Sequence, residues 1–215
     1  MAAAGGAWRL TYQAKTKKEL LHAYRMWAPT YDADACLKFG YAAPKTAASV
    51  LAKYRKPSDL VLDVGVGTGL VGQQLSLMGF NRLCGIDLSP EMLAQAERKK
   101  VYQRLILGDI ADLSSSHSSL FQAAICVGTF TPNHVVDASA LFQVCSTVQK
   151  FGHLVLTLRE DFLRSETSFR VAMDQLVEGG EWELVNTTDP EFYTPLADGA
   201  DEVLFRCWVY RRIAW

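Results

Sequence analysis

No two cysteines of this sequence stand at CxxC spacing, and their number, five, is odd. Cys36, Cys84, Cys126, Cys145 and Cys207 are scattered, several inside apolar runs where a reduced thiol behaves as a small hydrophobe. That pattern speaks against a disulfide framework and against a zinc site, so no metal is expected and a reducing compartment is. No apolar run reaches the roughly 18–20 residues of a membrane span, so no membrane partner is expected. The opening MAAAGGAW lacks a basic stretch followed by an apolar core, and no secretory signal is read there. Neither sign of charge is in excess: a net charge of −1 offers no broad electrostatic surface to nucleic acid. Cytoplasmic residence is the expectation, with the nucleus left open.

What is present is ordinary for a folded domain. Of the 215 residues, 49% are hydrophobic and 21% charged, enough to bury a core without cross-links. Residues 1–14 are small and Gly/Ala-rich and read as a disordered tail. Residues 15–215 read as a single domain whose N-terminal helical cap spans about 15–56. Helices are expected at Lys15–Ala28 and Ala42–Tyr54. Apolar runs at Leu60–Val64, Leu83–Asp87, Arg104–Leu107, Ala123–Val127 and Leu154–Leu158 then alternate with helical patterns at Leu70–Met78, Pro90–Lys100 and Val135–Lys150. Ser89-Pro90-Glu91 supplies a capping hydroxyl, a first-turn proline and an acid; Gly152 is placed to end the helix before it. The alternation implies an α/β fold: a mostly parallel sheet with helices on both faces. Glu181–Thr188 and Glu202–Arg211 read as two strands joined by DPEFYTPLADGA, too short for a usual crossover, so this last pair is expected to be antiparallel.

The first strand runs into LDVGVGTGL, in which Gly65, Gly67 and Gly69 precede a helix. Backbone N–H groups at such a turn face an anionic part of a ligand. A Walker-type phosphate loop needs Gly-Lys-Ser/Thr, but Leu70 and Val71 follow Gly69. A dinucleotide fingerprint, GxGxxG, needs glycine where Leu70 stands. The remaining pattern, acid-x-Gly-x-Gly-x-Gly from Asp63, resembles motif I of the class I S-adenosylmethionine-dependent methyltransferases. The ligand of that family has one carboxylate with an ammonium and a sulfonium, so Asp63 suits its positive charge and the glycines clear room for its tail. Asp87 ends the second strand, where a carboxylate can accept from both ribose hydroxyls. Asp109 follows the third, and the resemblance implies that it binds the adenine amino group. Three helix-capping or loop acids are the alternative.

The resemblance covers about residues 20–212. It implies a Rossmann-like seven-stranded methyltransferase sheet and S-adenosylmethionine as cofactor, with S-adenosylhomocysteine as product. It places Asp63, Gly65, Gly67, Gly69, Asp87, Leu88, Asp109, Ile110, Val127 and Tyr31 around the cofactor. The stretch YRMWAPTYDADA is similar to a YDxWAxxYD segment of small-molecule members, with Arg25 in place of the usual acid. There Tyr24, Trp27 and Tyr31 cap the cofactor or line the substrate mouth; a hydrophobic staple is the other reading, the better one for Trp27.

Methyl transfer from a sulfonium is mainly a problem of alignment. A base helps some acceptors and is unnecessary for others. After the fourth strand, VGTFTPNH lacks the [DNS]PP[YF] of adenine and glutamine methylators, and the double-acid loop of protein arginine methyltransferases is also missing. His134, with an ordinary pKa of about 6.5, is the candidate base, against an exposed helix start as the alternative. Tyr24, Tyr31, Thr131, Arg159, Asp161 and Tyr193 are candidates for the substrate side. The acidic connection Asp189–Asp201 is expected to form part of a lid disfavouring anionic substrates. The function expected is methyl transfer to a small molecule, with no nucleic acid. The alternatives are a non-catalytic cofactor-binding module, a protein or RNA methyltransferase working with a partner, and a nicotinamide-dependent oxidoreductase.

Overall fold

Val61–Val64 (β1) lies in the interior of the sheet, all four residues buried. In this computed structural model, which describes residues 6–115, 119–132, 137–196 and 203–214, it pairs in parallel with β2 (Leu83–Asp87) on one side and β4 (Phe121–Cys126) on the other. Outside these lie β3 (Arg104–Leu107) and β5 (Val148–Arg159), also parallel. β8 (Leu204–Arg212) is inserted antiparallel between β5 and β6 (Trp182–Thr187). The order is β3-β2-β1-β4-β5-β8-β6. The expected parallel sheet with an antiparallel C-terminal pair is what the chain forms. Among the described residues the sheet has eight strands rather than seven: β7 (Glu191–Phe192) pairs with the start of β8, inside the connection read as a loop.

Alternation along β1 sorts the two layers. Leu62 and Val64 pack with Leu141 and Val144 of α6 (Ser139–Thr147) and Phe169 and Met173 of α8 (Thr167–Glu178). Val61 packs on the other face, with Ala47 and Leu51 of α3 (Ala43–Leu51) and Val71 and Leu75 of α4 (Leu70–Leu77). α5 (Pro90–Arg98) starts as its cap signals predict: Ser89 Oγ accepts the Met92 N–H at 3.3 Å. α7 (Glu160–Ser165) turns the chain from β5 toward α8.

Two expectations are corrected. Within the tail expected over residues 1–14, Trp8–Gln13 is a helix (α1). Its Trp8 ring meets Phe39 edge-on at 5.4 Å, a distant contact that the local composition gives no hint of. The helix expected to run to Lys150 ends at Thr147, because Val148 already has extended backbone and opens β5. Gly152 therefore ends no helix. It lies inside β5, where a Cβ would come 2.5 Å from Val148 Cγ1 and 2.8 Å from the Gln122 carbonyl oxygen. Between α1 and α3, the cap consists of α2 (Lys17–Trp27) and a π-helical turn, Ala33–Lys38.

Candidate functional site

The carboxyl ends of β1, β2, β3 and β4 surround a cavity of about 150 Å³. Strand order reverses between β1 and β4, the place where open α/β sheets bind ligands. Among the described residues, its walls come from the ends of these strands and the turns after them, from α2 (Lys17, Leu20, Leu21 and Tyr24), from Met92 of α5, and from Tyr31.

The glycine turn is fixed by what crowds it. Gly65 has φ +73°, and a Cβ there would lie 2.2 Å from Thr129 Oγ1. That hydroxyl is held in place by donating to the Val64 carbonyl at 3.1 Å. Gly67 has φ +55°, but a Cβ there would meet nothing within 4 Å. Its open side belongs to the cavity wall, and its N–H donates to Asp87 Oδ2 at 2.7 Å. Asp87 Oδ1 accepts the Ser89 N–H at 2.8 Å. One carboxylate thus sets both the glycine turn and the start of α5. Burial raises its pKa against these bonds. Its oxygens together keep further lone pairs for a ligand.

Asp63 is 1% exposed. Its Oδ2 accepts the Tyr102 hydroxyl at 2.6 Å, and its Oδ1 has no hydrogen-bond partner. Burial pushes the carboxyl up to about 7 against the Tyr102 bond, with the charge of Asp87 adding to the rise. Asp109 behaves oppositely: burial raises it, but its bonds to Lys17 and to the Ala111 N–H outweigh that and hold it below the usual range.

The cap is tied to the sheet at a second place. Asp32 accepts from Thr68 Oγ1 at 2.5 Å and pairs with Lys99. Arg25, the departure from the usual acid, lies 3.4 Å from Glu91. Trp27 donates its indole N–H to Asp34 at 2.9 Å and packs on Tyr31 at 4.5 Å. It is a strut inside the cap, whereas Tyr24 and Tyr31 reach the cavity.

Beyond β4, the hydroxyls of Tyr41 and Tyr193 are 3.3 Å apart. Both press on Gly128, a wall residue with φ +68°: a Cβ there would lie 2.3 Å from the Tyr41 hydroxyl and 3.1 Å from that of Tyr193. Burial lifts Tyr193 to about 12 and Tyr41 well above the usual phenol range, so both stay protonated at neutral pH. Arg159, 8% exposed, lies over the Tyr193 ring at 5.4 Å and is gripped by Asp161 through Nε at 2.9 Å and Nη2 at 2.5 Å.

Gly65, Gly67, Asp87, Leu88, Asp109, Ile110, Val127, Tyr24 and Tyr31 therefore share one cavity. Asp63 and Gly69 stand behind the glycine turn, and Thr131, Arg159, Asp161 and Tyr193 are not in its wall. His134 and residues 197–202 of the expected lid lie outside the described residues. Glu191, in the same connection, accepts from Thr46 Oγ1 at 2.8 Å. His153 is far from the site: burial, then the charges of Arg55 and Arg211, lower it to about 4. No group of three or more His, Cys, Asp or Glu side chains is placed to hold a metal among the described residues. Sequence reasoning missed Lys17 and Tyr102. A lysine in a first helical turn reads as solvated, and nothing local pairs Tyr102 with an acid 39 positions earlier.

Residues 61–152 match a family model described as a methyltransferase domain. Methyltransferase-like protein 27 of Homo sapiens is 36% identical over 170 residues, 76% of this chain and 68% of that protein. The 18S rRNA (guanine(1575)-N(7))-methyltransferase of Saccharomyces cerevisiae is 35% identical over 72 residues, 34% of this chain and 26% of that protein. The ubiquinone biosynthesis O-methyltransferase of Xanthomonas campestris is 29% identical over 146 residues, 66% of this chain and 58% of that protein. Among solved structures, an S-adenosylmethionine-dependent methyltransferase of Thermotoga maritima superposes with a TM-score of 0.64 at 18% identity, over 89% of this chain and 98% of that one. At that identity the likeness shows the fold alone.

Proposed function

The chain belongs to the class I S-adenosylmethionine-dependent methyltransferases, and on that premise we propose that its acceptor is a small molecule entering between the N-terminal cap and the tip of β4. The cavity fits the cofactor: the Gly67 side is open, and Asp87, in the same wall, keeps lone pairs beyond its bonds to Gly67 and Ser89. In this reading Gly65 and Gly67 hold the amino-acid end, with Asp63 and Gly69 behind them. Asp87 and Leu88 hold the ribose, Asp109 and Ile110 the adenine, and Val127 and Tyr31 complete the wall. When bound, the cofactor supplies a methyl group activated by a positively charged sulfur.

The protein's own part is alignment and exclusion of water. Leu20, Leu21, Tyr24 and Tyr31 roof the cavity. Tyr41 and Tyr193 stay protonated, so they orient an acceptor by hydrogen bonding and do not act as bases at neutral pH. Thr131, Arg159 and Asp161 belong to the substrate side of this reading, with His134 as its candidate base. Enclosure is the observation that carries the small-molecule acceptor: cap side chains form one wall, and a bulky acceptor has to displace them.

The test incubates the purified protein with methyl-labelled S-adenosylmethionine and a cell extract separated by size, with Asp87→Ala as control. Label in the low-mass fraction is expected. Label confined to RNA or protein would overturn the small-molecule acceptor. Tight cofactor binding without transfer to any fraction would favour a binding module.

A further inference from the structure

α2 lies across the cavity with its two ends held differently. Beyond its C-terminal end, Asp32 is fixed by Thr68 and Lys99, and Lys99 is mostly buried. At its N-terminal end, Lys17 lines the cavity and pairs with Asp109, which lines it too; their side chains are 48% and 30% exposed. Both oxygens of Asp109 are engaged, Oδ1 by the Ala111 N–H at 3.1 Å and Oδ2 by Lys17.

We propose that the Lys17–Asp109 ion pair is the gate of the cofactor site: the ligand's amino group reaches Asp109 by displacing Lys17, and α2 swings open from its N-terminal end about the Asp32 anchor. This rests on the reading that Asp109 takes the adenine, and it adds a cavity residue, Lys17, whose role is to control entry. A partly exposed ion pair is the right strength for such a gate. It is worth at most about five-fold in an equilibrium, so it opens readily, and salt screens it. Leu20, Leu21 and Tyr24, on the same helix, lose their place over the cavity when its N-terminal end lifts. The gate and the roof therefore move as one body.

Stopped-flow mixing with S-adenosylhomocysteine, followed by tryptophan fluorescence, tests this in the full-length protein; Trp27 packs on Tyr31 of the cavity wall. Lys17→Met should associate faster at low salt, by about three- to five-fold, with dissociation little changed, so affinity rises by about the same factor. The unaltered protein's association rate should climb toward the variant's as salt is added, while the variant's stays flat. Lys17→Arg should restore the slow, salt-dependent rate. Amide exchange over Leu20–Tyr24 without ligand should be faster in Lys17→Met. Slower association, an affinity loss beyond about ten-fold, or identical rates in both proteins would overturn the gate: Lys17 would then hold the ligand or play no part. Calorimetry run alongside separates the two levels. Binding with unaltered rates overturns the gate alone, whereas no binding in either protein overturns the cofactor reading and the gate with it.

Discussion

Tyr102 donates its hydroxyl to Asp63 at 2.6 Å while accepting the Gly72 N–H at 3.1 Å. A single ring past the end of α5 thus ties the tip of β1 to the first turn of α4. Gly72 leaves the room for it, since a Cβ there would lie 2.3 Å from the Tyr102 hydroxyl. Tyr102→Phe strips Asp63 of its hydrogen-bonded partner and orphans the Gly72 N–H. A stability loss of about 2–3 kcal/mol is expected in urea denaturation, with the fold kept.

Asp63 should also make stability depend on pH. Its carboxyl is raised to about 7 in the folded state, against about 4 in the unfolded chain. The folded state then binds the extra proton between those values. Asp63's contribution is full below about pH 4, falls as pH rises, and is lost above about 7, a swing of up to about 4 kcal/mol. Asp63→Asn should flatten this part of the profile and be the more stable protein at pH 8. A denaturation series from pH 4 to 8 without ligand reads it; parallel curves for the two proteins would refute it.

Gly65 and Gly67 should separate stability from binding. Gly65→Ala drives a methyl into Thr129 at positive φ, and about 2–4 kcal/mol of stability should go. Gly67→Ala meets no neighbour and bears only the left-handed backbone strain of about 1–2 kcal/mol. Its methyl enters the cavity, so affinity for S-adenosylhomocysteine should fall by more than about ten-fold. Calorimetry beside urea titration measures both.

Arg159 needs its partner. Asp161→Asn leaves a guanidinium of 9% side-chain exposure with a neutral neighbour, and a loss of about 2 kcal/mol is expected, less than for a fully buried pair because Asp161 is 39% exposed. In the unaltered protein, burial raises Asp161 but the Arg159 bonds outweigh it and hold the carboxyl low. This contribution is therefore present at neutral pH and fades only as pH falls through that lowered value. Thermal melts at neutral and acid pH should show the variant's deficit shrinking in acid.

The central sheet is legible because its strands are short apolar runs, each of the first two with an acid at or next to its end: Val61–Val64 carries Asp63 and Leu83–Asp87 stops on Asp87. Ser89-Pro90-Glu91 marks the start of α5 for equally local reasons. The boundary between α6 and β5 is hidden because Val148 leaves the helix with no glycine to announce it. α1 is hidden because its six residues are held by Trp8 against Phe39. Within the cavity, the acids and glycines could be placed from strand ends. The pairings of Asp63 with Tyr102 and of Asp109 with Lys17, 92 positions apart, exist only after folding.

β8 runs between β5 and β6, although it is the last of these strands to be made. During synthesis, then, Leu154–Leu158 presents an open, apolar border until residues 204–212 leave the ribosome and slide into the gap. Shortening the chain by this one strand would leave two unmatched borders facing each other, and clumping of the nascent product is the hazard built into that order of assembly.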